Sequence, residues 1–376
     1  GKYYGAKAFK TGKKPVYRLR TKVGYQLKLT LDHRVMTISG WKEAGSLSSK
    51  DVIKVYKGGE FVNSGFESIE YVGEEDVYDI TEGVNHLFVA NGIVVHNCGE
   101  QPLLPYESCN LGSINLLNMT TDEGGKSKVD YDRLEMTVKT AVHFLDNVID
   151  INKYPLPEID HMTKLTRKIG LGVMGFADML FTINIPYDSD EAVNLSRRIM
   201  KFINDKSKEE SRELAKIRGP FPGIESSIYK GQCIRNATTT TIAPTGTISM
   251  IAGCSSGIEP LFAISYVRNV MDNDELPEVH PIFRKISEDR GFYSTELMKE
   301  IAKQGTIAHL PVPEDVKKVF VTAHDIDPVW HIRMQSAFQE YTDNAVSKTV
   351  NFRHDATRDD VKEVFMLAYK LGCKGV

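Results

Sequence analysis

At 376 residues, 41% apolar, 26% charged and with a formal net charge of −3, the chain has room for two or three domains and the composition of a soluble protein. No stretch reaches the roughly 18 apolar residues of a bilayer-spanning helix, and the opening GKYYGAKAFKTGKK lacks the apolar core of a signal peptide. Five cysteines (Cys98, Cys109, Cys233, Cys254, Cys373) without a CxxC pair argue against a zinc site or a secreted disulfide framework, so no metal ligands and a cytoplasmic location are expected.

Residues 1–97 read as β structure. VYRLR (Val16–Arg20) and YQLKLT (Tyr25–Thr30) flank a turn at Gly24, and Asn91-Gly92 lies between two apolar runs, the strongest short hairpin signal. This segment carries 14 Lys/Arg against 11 Asp/Glu, and ten of the basic residues fall in the first 34 positions with one acid. No aromatic-interleaved motif accompanies the basic strip, so it is read as a solvated face, or one left bare by a missing segment, and not as a DNA contact. The Gly1 start suggests a processed or truncated end.

After Cys98 the pattern changes to long amphipathic helices between β-branched runs. In 131–152, Leu134, Val138, Val142, Leu145 and Ile149 share one face. Ser189 is placed to cap a helix that stops at Gly219-Pro220, and Thr357 with Asp360 forms a capping box before a helix with stripe Val361, Val364, Phe365 and Ala368. TTTTIA (238–243), VFVTA (319–323) and SKTVNF (347–352) read as strands between them. The alternation predicts an α/β architecture.

At the seam, His96-Asn97-Cys98 is a peptide bond equipped to break itself. The Asn97 amide nitrogen can attack its own carbonyl carbon to form a succinimide; His96 can assist as acid, and the Cys98 thiol suits acyl transfer. VYDITEGVNHLFVANGIVVHN (Val77–Asn97) resembles the C-terminal blocks of an intein, and KLTLDHRVMT (Lys28–Thr37) the upstream block with Thr-x-x-His. The resemblance implies an all-β Hint domain over 1–97. Thr30 and His33 would activate the N-terminal splice bond, and Asp79 and His86 would assist acyl transfer and Asn97 cyclisation. No first block with its Cys or Ser nucleophile lies upstream of Thr30, so the missing N-terminal intein piece would be a separate partner.

CGEQPLLPYESCNLGSINL (Cys98–Leu116) and RNATTTTIAPTGTISMIAGCSSGIEP (Arg235–Pro260) resemble the ribonucleotide reductases, in the adenosylcobalamin-dependent class II branch. That resemblance covers 98–376 and implies part of a ten-stranded α/β barrel. It also implies a thiyl radical at Cys98, a general base at Glu100 two residues away, and Cys109 as one half of a redox pair whose partner lies in the absent N-terminal half. Pro244, Thr245, Gly246, Thr247, Ile248 and Ser249 form a strand–loop–helix able to cradle a diphosphate with backbone, hydroxyls and helix dipole. Adenosylcobalamin, a ribonucleotide substrate, a thioredoxin-like reductant and a homodimer follow from the same resemblance. Two alternatives stand: intein autoprocessing as the fragment's sole activity, and a class I chain served by a di-iron subunit.

GLGVMG (Gly170–Gly175) matches the dinucleotide fingerprint G-x-G-x-x-G, but the residues before it read as helix. Close helix packing on small residues is expected there instead. His324 and His331, seven apart across Pro328, are read as structural, and Cys254 and Cys373 as core thiols.

Overall fold

The computed structural model describes residues 7–31, 33–57, 60–81, 87–90, 93–96, 101–269, 275–353 and 355–376. The chain divides into two compact units between Glu107 and Ser108, downstream of the boundary expected after Asn97. Residues 101–107 make local turns, with the N–H of Glu107 donating to the Leu104 carbonyl at 3.0 Å.

The first unit is all β, with β1 (Lys7–Thr21), β2 (Gln26–Leu29), β3 (Arg34–Thr37), β4 (Gly40–Glu43), β5 (Val52–Lys57), β6 (Glu60–Thr81), β7 (Leu87–Ala90) and β8 (Ile93–His96). They form one sheet in the order β2-β1-β6-β5-β3-β8-β7, with β4 on β3. Leu19, Leu29, Val35, Ala44, Ile53 and Val55 make its buried core. The β1–β2 hairpin turns through Gly24 at φ 90, a backbone region that favours glycine. Ala90 pairs with Ile93, the register of a two-residue hairpin; Asn91 and Gly92 lie outside the described residues. Part of the basic strip is answered in the sheet, where β1 and β6 pair antiparallel with Arg18 opposite Glu70, opposite charges across a strand pair.

The second unit contains β9 (Asn110–Asn115), a β10–β11 hairpin (Thr120–Glu123, Lys126–Val129), α1 (Tyr131–Ile151), α2 (Pro157–Thr166), β12 (Ile169–Met174), α3 (Phe176–Thr182), α4 (Asp190–Arg218) and α5 (Gly246–Ala252). There follow the β13–β14 pair (Ser265–Asn269, Glu275–Val279), α6 (Pro281–Asp289), α7 (Thr295–Gln304), α8 (Glu314–Val319), α9 (Pro328–Gln339) and α10 (Arg358–Lys370). Its centre is a parallel layer. β9 pairs with β12 from Asn110↔Ile169 to Asn115↔Met174; segment 238–243 joins β12 through Leu171↔Thr240, and 344–347 joins that segment through Ile242↔Val346. Side chains of α1, α4 and α9 pack against this layer in one core, which includes Leu134, Val142, Ile199, Leu171, Ile242 and Phe338. The result is an α/β architecture, as the alternation predicts, curled into the half-barrel that the reductase resemblance implies; of the runs read as strands, Val319 instead ends α8 and 347–352 forms no strand.

Local signals account for the helices. Ser189 accepts the Ala192 N–H at 3.1 Å and Gly219 ends α4 at φ 81; the Thr357–Asp360 capping box is formed. On α10 only Val364 and Ala368 are buried, while Val361 and Phe365 of the expected stripe stand 37% and 46% exposed. The glycine motif needs correcting. α2 does precede it, but Gly170 and Gly172 lie in β12, every residue of which is buried, and they serve strand packing, while Gly175 caps α3 at φ 70. A Cβ on Gly172 would sit 2.1 Å from the Thr241 carbonyl oxygen, and one on Gly170 2.6 Å from Thr241 Cγ2. A short strand covered on both faces has no alternation to betray it.

Candidate functional site

The 244–249 turn follows segment 238–243 at the C-terminal edge of the parallel layer. Thr245 stands at φ 55, ψ 20, a left-handed conformation that costs a β-branched residue about 1–3 kcal/mol and persists only where its surroundings enforce it. Two bonds enforce it here. The Ser249 N–H donates to the Thr245 carbonyl at 2.9 Å, and the Gly257 N–H donates to Thr245 Oγ1 at 2.7 Å. That hydroxyl, used as an acceptor, keeps its hydrogen for donation. Ser249 is turned inward, bonded to the Gly246 carbonyl and to Ser256 Oγ at 3.2 and 2.9 Å. Pro244, Gly246, Thr247 and Ile248 are exposed, and a Cβ on Gly246 would meet nothing within 4 Å. The first N–H groups of α5 have no carbonyl one turn back. An open floor, outward amides and the hydroxyls of Thr245 and Thr247 suit a phosphate oxygen.

Behind the turn, segment 253–259 folds back on it, with Gly253 and Gly257 both at positive φ. The Cys254 N–H donates to the Ser249 carbonyl at 3.0 Å and the Gly175 N–H to the Ser255 carbonyl at 2.8 Å. Buried Asp178 takes the Ser255 N–H at 2.5 Å and pairs with His280 Nε2 at 2.7 Å. Burial, reinforced by the Asp178 charge, pushes the Cys254 thiol up to about 11, which fits a packing role.

At the same edge Lys348 is enclosed, its Nζ within hydrogen-bond distance of Glu259 Oε2, His331 Nδ1 and the Thr349 carbonyl at 2.5, 2.9 and 2.5 Å. The ammonium must donate to Nδ1, so the ring hydrogen sits on Nε2, 3.3 Å from the Ala323 carbonyl. Burial and the Lys348 charge lower the His331 pKa to about 3. His331 is a neutral structural group, as read from the sequence. The opposite end of the layer is tied by Asp146, whose buried carboxylate meets Arg167 Nε at 2.9 Å, Asn236 Nδ2 at 3.0 Å and Arg235 Nε at 3.3 Å. Sequence reasoning named none of Asp178, Gly257, Glu259, Lys348 or Asp146 as site supports. Gly257 and Glu259 do stand inside the quoted CSSGIEP stretch.

Cys109 is half-buried just before β9, its Sγ 3.7 Å from the Asn110 carbonyl oxygen. By register it belongs to the N-terminal edge of the layer and the 244–249 turn to the C-terminal edge, about 23 Å apart along the strands at 3.3 Å per residue. Cys98 and Glu100 lie outside the described residues, as do His86 and Asn97. In the first unit, Thr30 and His33 are joined by one turn, the His33 N–H donating to the Thr30 carbonyl at 3.1 Å. Asp79 sits on β6 opposite Phe9. Val35 pairs antiparallel with Val95, which brings the His96 end of β8 to the start of β3, beside His33. Among the described residues no group of three or more His, Cys, Asp or Glu is placed to hold a metal, and no helix is long and apolar enough to cross a membrane.

Residues 85–376 match the family described as ribonucleotide reductase, barrel domain. Over 281 residues, 74% of the chain, the sequence is 56% identical to a vitamin B12-dependent ribonucleoside-diphosphate reductase of Thermoplasma acidophilum and covers 36% of that protein. A Mycobacterium tuberculosis protein of the same description is 50% identical over 281 residues, again 74% of the chain and 40% of the relative. The chain thus spans well under half the length of these relatives. Among solved structures, the class Id ribonucleotide reductase alpha subunit of Actinobacillus ureae superposes with a TM-score of 0.62 at 26% identity, covering 74% of this chain and 51% of that one. With its parallel half-barrel and the 85–376 match, the chain belongs to the ribonucleotide reductase family, through the barrel domain.

Proposed function

We propose that this chain supplies the C-terminal part of the catalytic barrel of an adenosylcobalamin-dependent reductase that converts ribonucleoside diphosphates to 2′-deoxyribonucleoside diphosphates. The observation that carries the reading is the 244–249 turn, where a strained, buried Thr245 stands beside an open, exposed Gly246 at the edge of the parallel layer. The 56% identity to a B12-dependent relative, against 26% to the class Id subunit, favours cobalamin over a di-iron partner. Adenosylcobalamin, when bound, supplies the radical equivalent; the described residues include no cluster built to ligate its cobalt, and every other role belongs to the protein's own groups.

The turn holds the diphosphate. Cys98 as a thiyl removes the C3′ hydrogen atom and returns it to C3′ at the end, Glu100 takes the 3′-hydroxyl proton and gives it back, and the 2′-hydroxyl leaves as water with one proton from the thiol pair. Cys109 and a cysteine of the missing N-terminal half give two electrons and two protons and close to a disulfide, which a thioredoxin-like protein reopens. With Cys109 and the turn at opposite edges of the layer, the ribose must reach inward from the turn along the strands. A homodimer and a cytoplasmic setting go with this reading.

For residues 1–97 the reading is the C-terminal part of an intein Hint domain. The support is an all-β sheet in which β3 and β8 bring the Thr30–His33 turn beside His96. Asn97 cyclisation then frees Cys98, the residue that must later carry the radical. A precursor held uncut by Asn97→Ala should therefore make no deoxynucleotide.

The test is turnover by the spliced full-length enzyme. Product formation from a ribonucleoside diphosphate should require both adenosylcobalamin and a dithiol, and Cys109→Ser should stop multiple turnover. Cobalamin-independent turnover would sink the class II assignment.

A further inference from the structure

We propose that Lys348 is a positioning residue for the 244–249 turn, acting through Glu259 on the Gly257 amide that holds Thr245; this deepens the diphosphate reading and rests on it. Two independent observations support it. The first is placement. Ile242 pairs in parallel with Val346, so Lys348, two residues on, reaches the edge of the layer level with Pro244, where the turn begins. The second is a series of hydrogen bonds carried through the 256–259 backbone. Lys348 Nζ and the Thr349 N–H grip the two oxygens of Glu259 at 2.5 and 2.7 Å. The Glu259 N–H donates to the Ser256 carbonyl at 2.9 Å, and Ser256 Oγ meets Ser249 Oγ at 2.9 Å. Two residues before Glu259, the Gly257 N–H holds Thr245 Oγ1 at 2.7 Å.

Lysine suits this task. Its ammonium has three hydrogens and finds acceptors on three separate segments: Glu259, His331 on α9 and the Thr349 carbonyl. The Lys348 side chain is 0% exposed, so it fixes the loop from behind and does not itself meet a ligand. Removing one partner of a buried pair leaves the other uncompensated; here that other is Glu259, which would relax toward solvent and carry Gly257 with it. Thr245 would then lose one of the two bonds that keep it left-handed.

The experiment compares Lys348→Met, Glu259→Gln and Thr245→Val in the full-length enzyme, each checked for fold by its thermal transition. Affinity is measured for a ribonucleoside diphosphate, for inorganic pyrophosphate and for the unphosphorylated ribonucleoside. Lys348→Met should weaken both phosphate ligands by about tenfold, the size expected for one displaced donor, and leave the nucleoside unchanged. Glu259→Gln keeps a neutral acceptor in place and should shift the same two ligands by less, which covers the case in which Lys348→Met does not fold. Equal loss of all three ligands, or none, in a folded Lys348 or Glu259 variant overturns the positioning role. A Thr245→Val enzyme that binds pyrophosphate normally overturns the cradle itself, and the inference with it.

Discussion

Thr245 and Gly257 are joined by a 2.7 Å hydrogen bond from the glycine amide to the threonine hydroxyl, and that bond fastens the 244–249 turn to the loop behind it. Thr245→Val keeps the β-branch and removes the acceptor. The left-handed conformation at φ 55 then loses one of its two restraints. Steady-state kinetics of the full enzyme should show KM for the diphosphate substrate raised about tenfold with kcat changed much less, since the lost contact serves binding. A fall in kcat at constant KM would contradict the assignment.

Two glycines should respond in opposite ways to alanine. Gly172→Ala drives a methyl to 2.1 Å from the Thr241 carbonyl and should destabilise the second unit by about 3 kcal/mol or more in urea denaturation, through overpacking. Gly246→Ala meets nothing within 4 Å. It should change stability by no more than about 0.5 kcal/mol, yet weaken diphosphate binding by occupying the open floor of the turn. Equal stability losses would refute the distinction.

His331 provides a pH signature. Its folded pKa of about 3 lies below the ordinary value of 6.5, so the unfolded chain binds the extra proton first as pH falls. The stability it protects is complete above pH 6.5 and declines toward pH 3, with a slope of up to about 1.4 kcal/mol per pH unit. Urea midpoints between pH 7 and 4 should fall less steeply for His331→Gln than for the parent chain. Parallel curves would show that the ring is not buried neutral.

Thiol chemistry separates the cysteines. Burial raises Cys373, and burial with the Asp178 charge raises Cys254, both to about 11; at pH 8 only about one in a thousand of either is thiolate. Cys233 is exposed. Brief iodoacetamide treatment read by peptide mass spectrometry should label Cys233 well ahead of Cys254 and Cys373, and early labelling of Cys254 would place it outside the packed loop.

The helices were legible because their signals are local: the Ser189 cap, the Thr357–Asp360 box and the α1 stripe depend on neighbours within two turns. The curled layer was legible only as a class. The pairings 110–115 with 169–174, and 242 with 346, join segments that nothing in a linear pattern links. The same limit hid the glycine strand, whose periodicity vanishes when both faces are covered. Residues 244–249 could be read from Pro-Thr-Gly and the β-branched run before it, but their supports could not. Asp178, Glu259 and Lys348 are ordinary charged residues in sequence and become notable only when the fold buries them beside one loop.

The saturation of Lys348 bears on inhibitor chemistry. A medicinal chemist scanning this edge for a cation would be drawn to the lysine, yet its three hydrogens already point at Glu259, His331 and Thr349. Phosphonate or carboxylate warheads aimed at it would find no donor. Flat acceptors matched to the amides of Gly246 and Thr247 are the better starting scaffold.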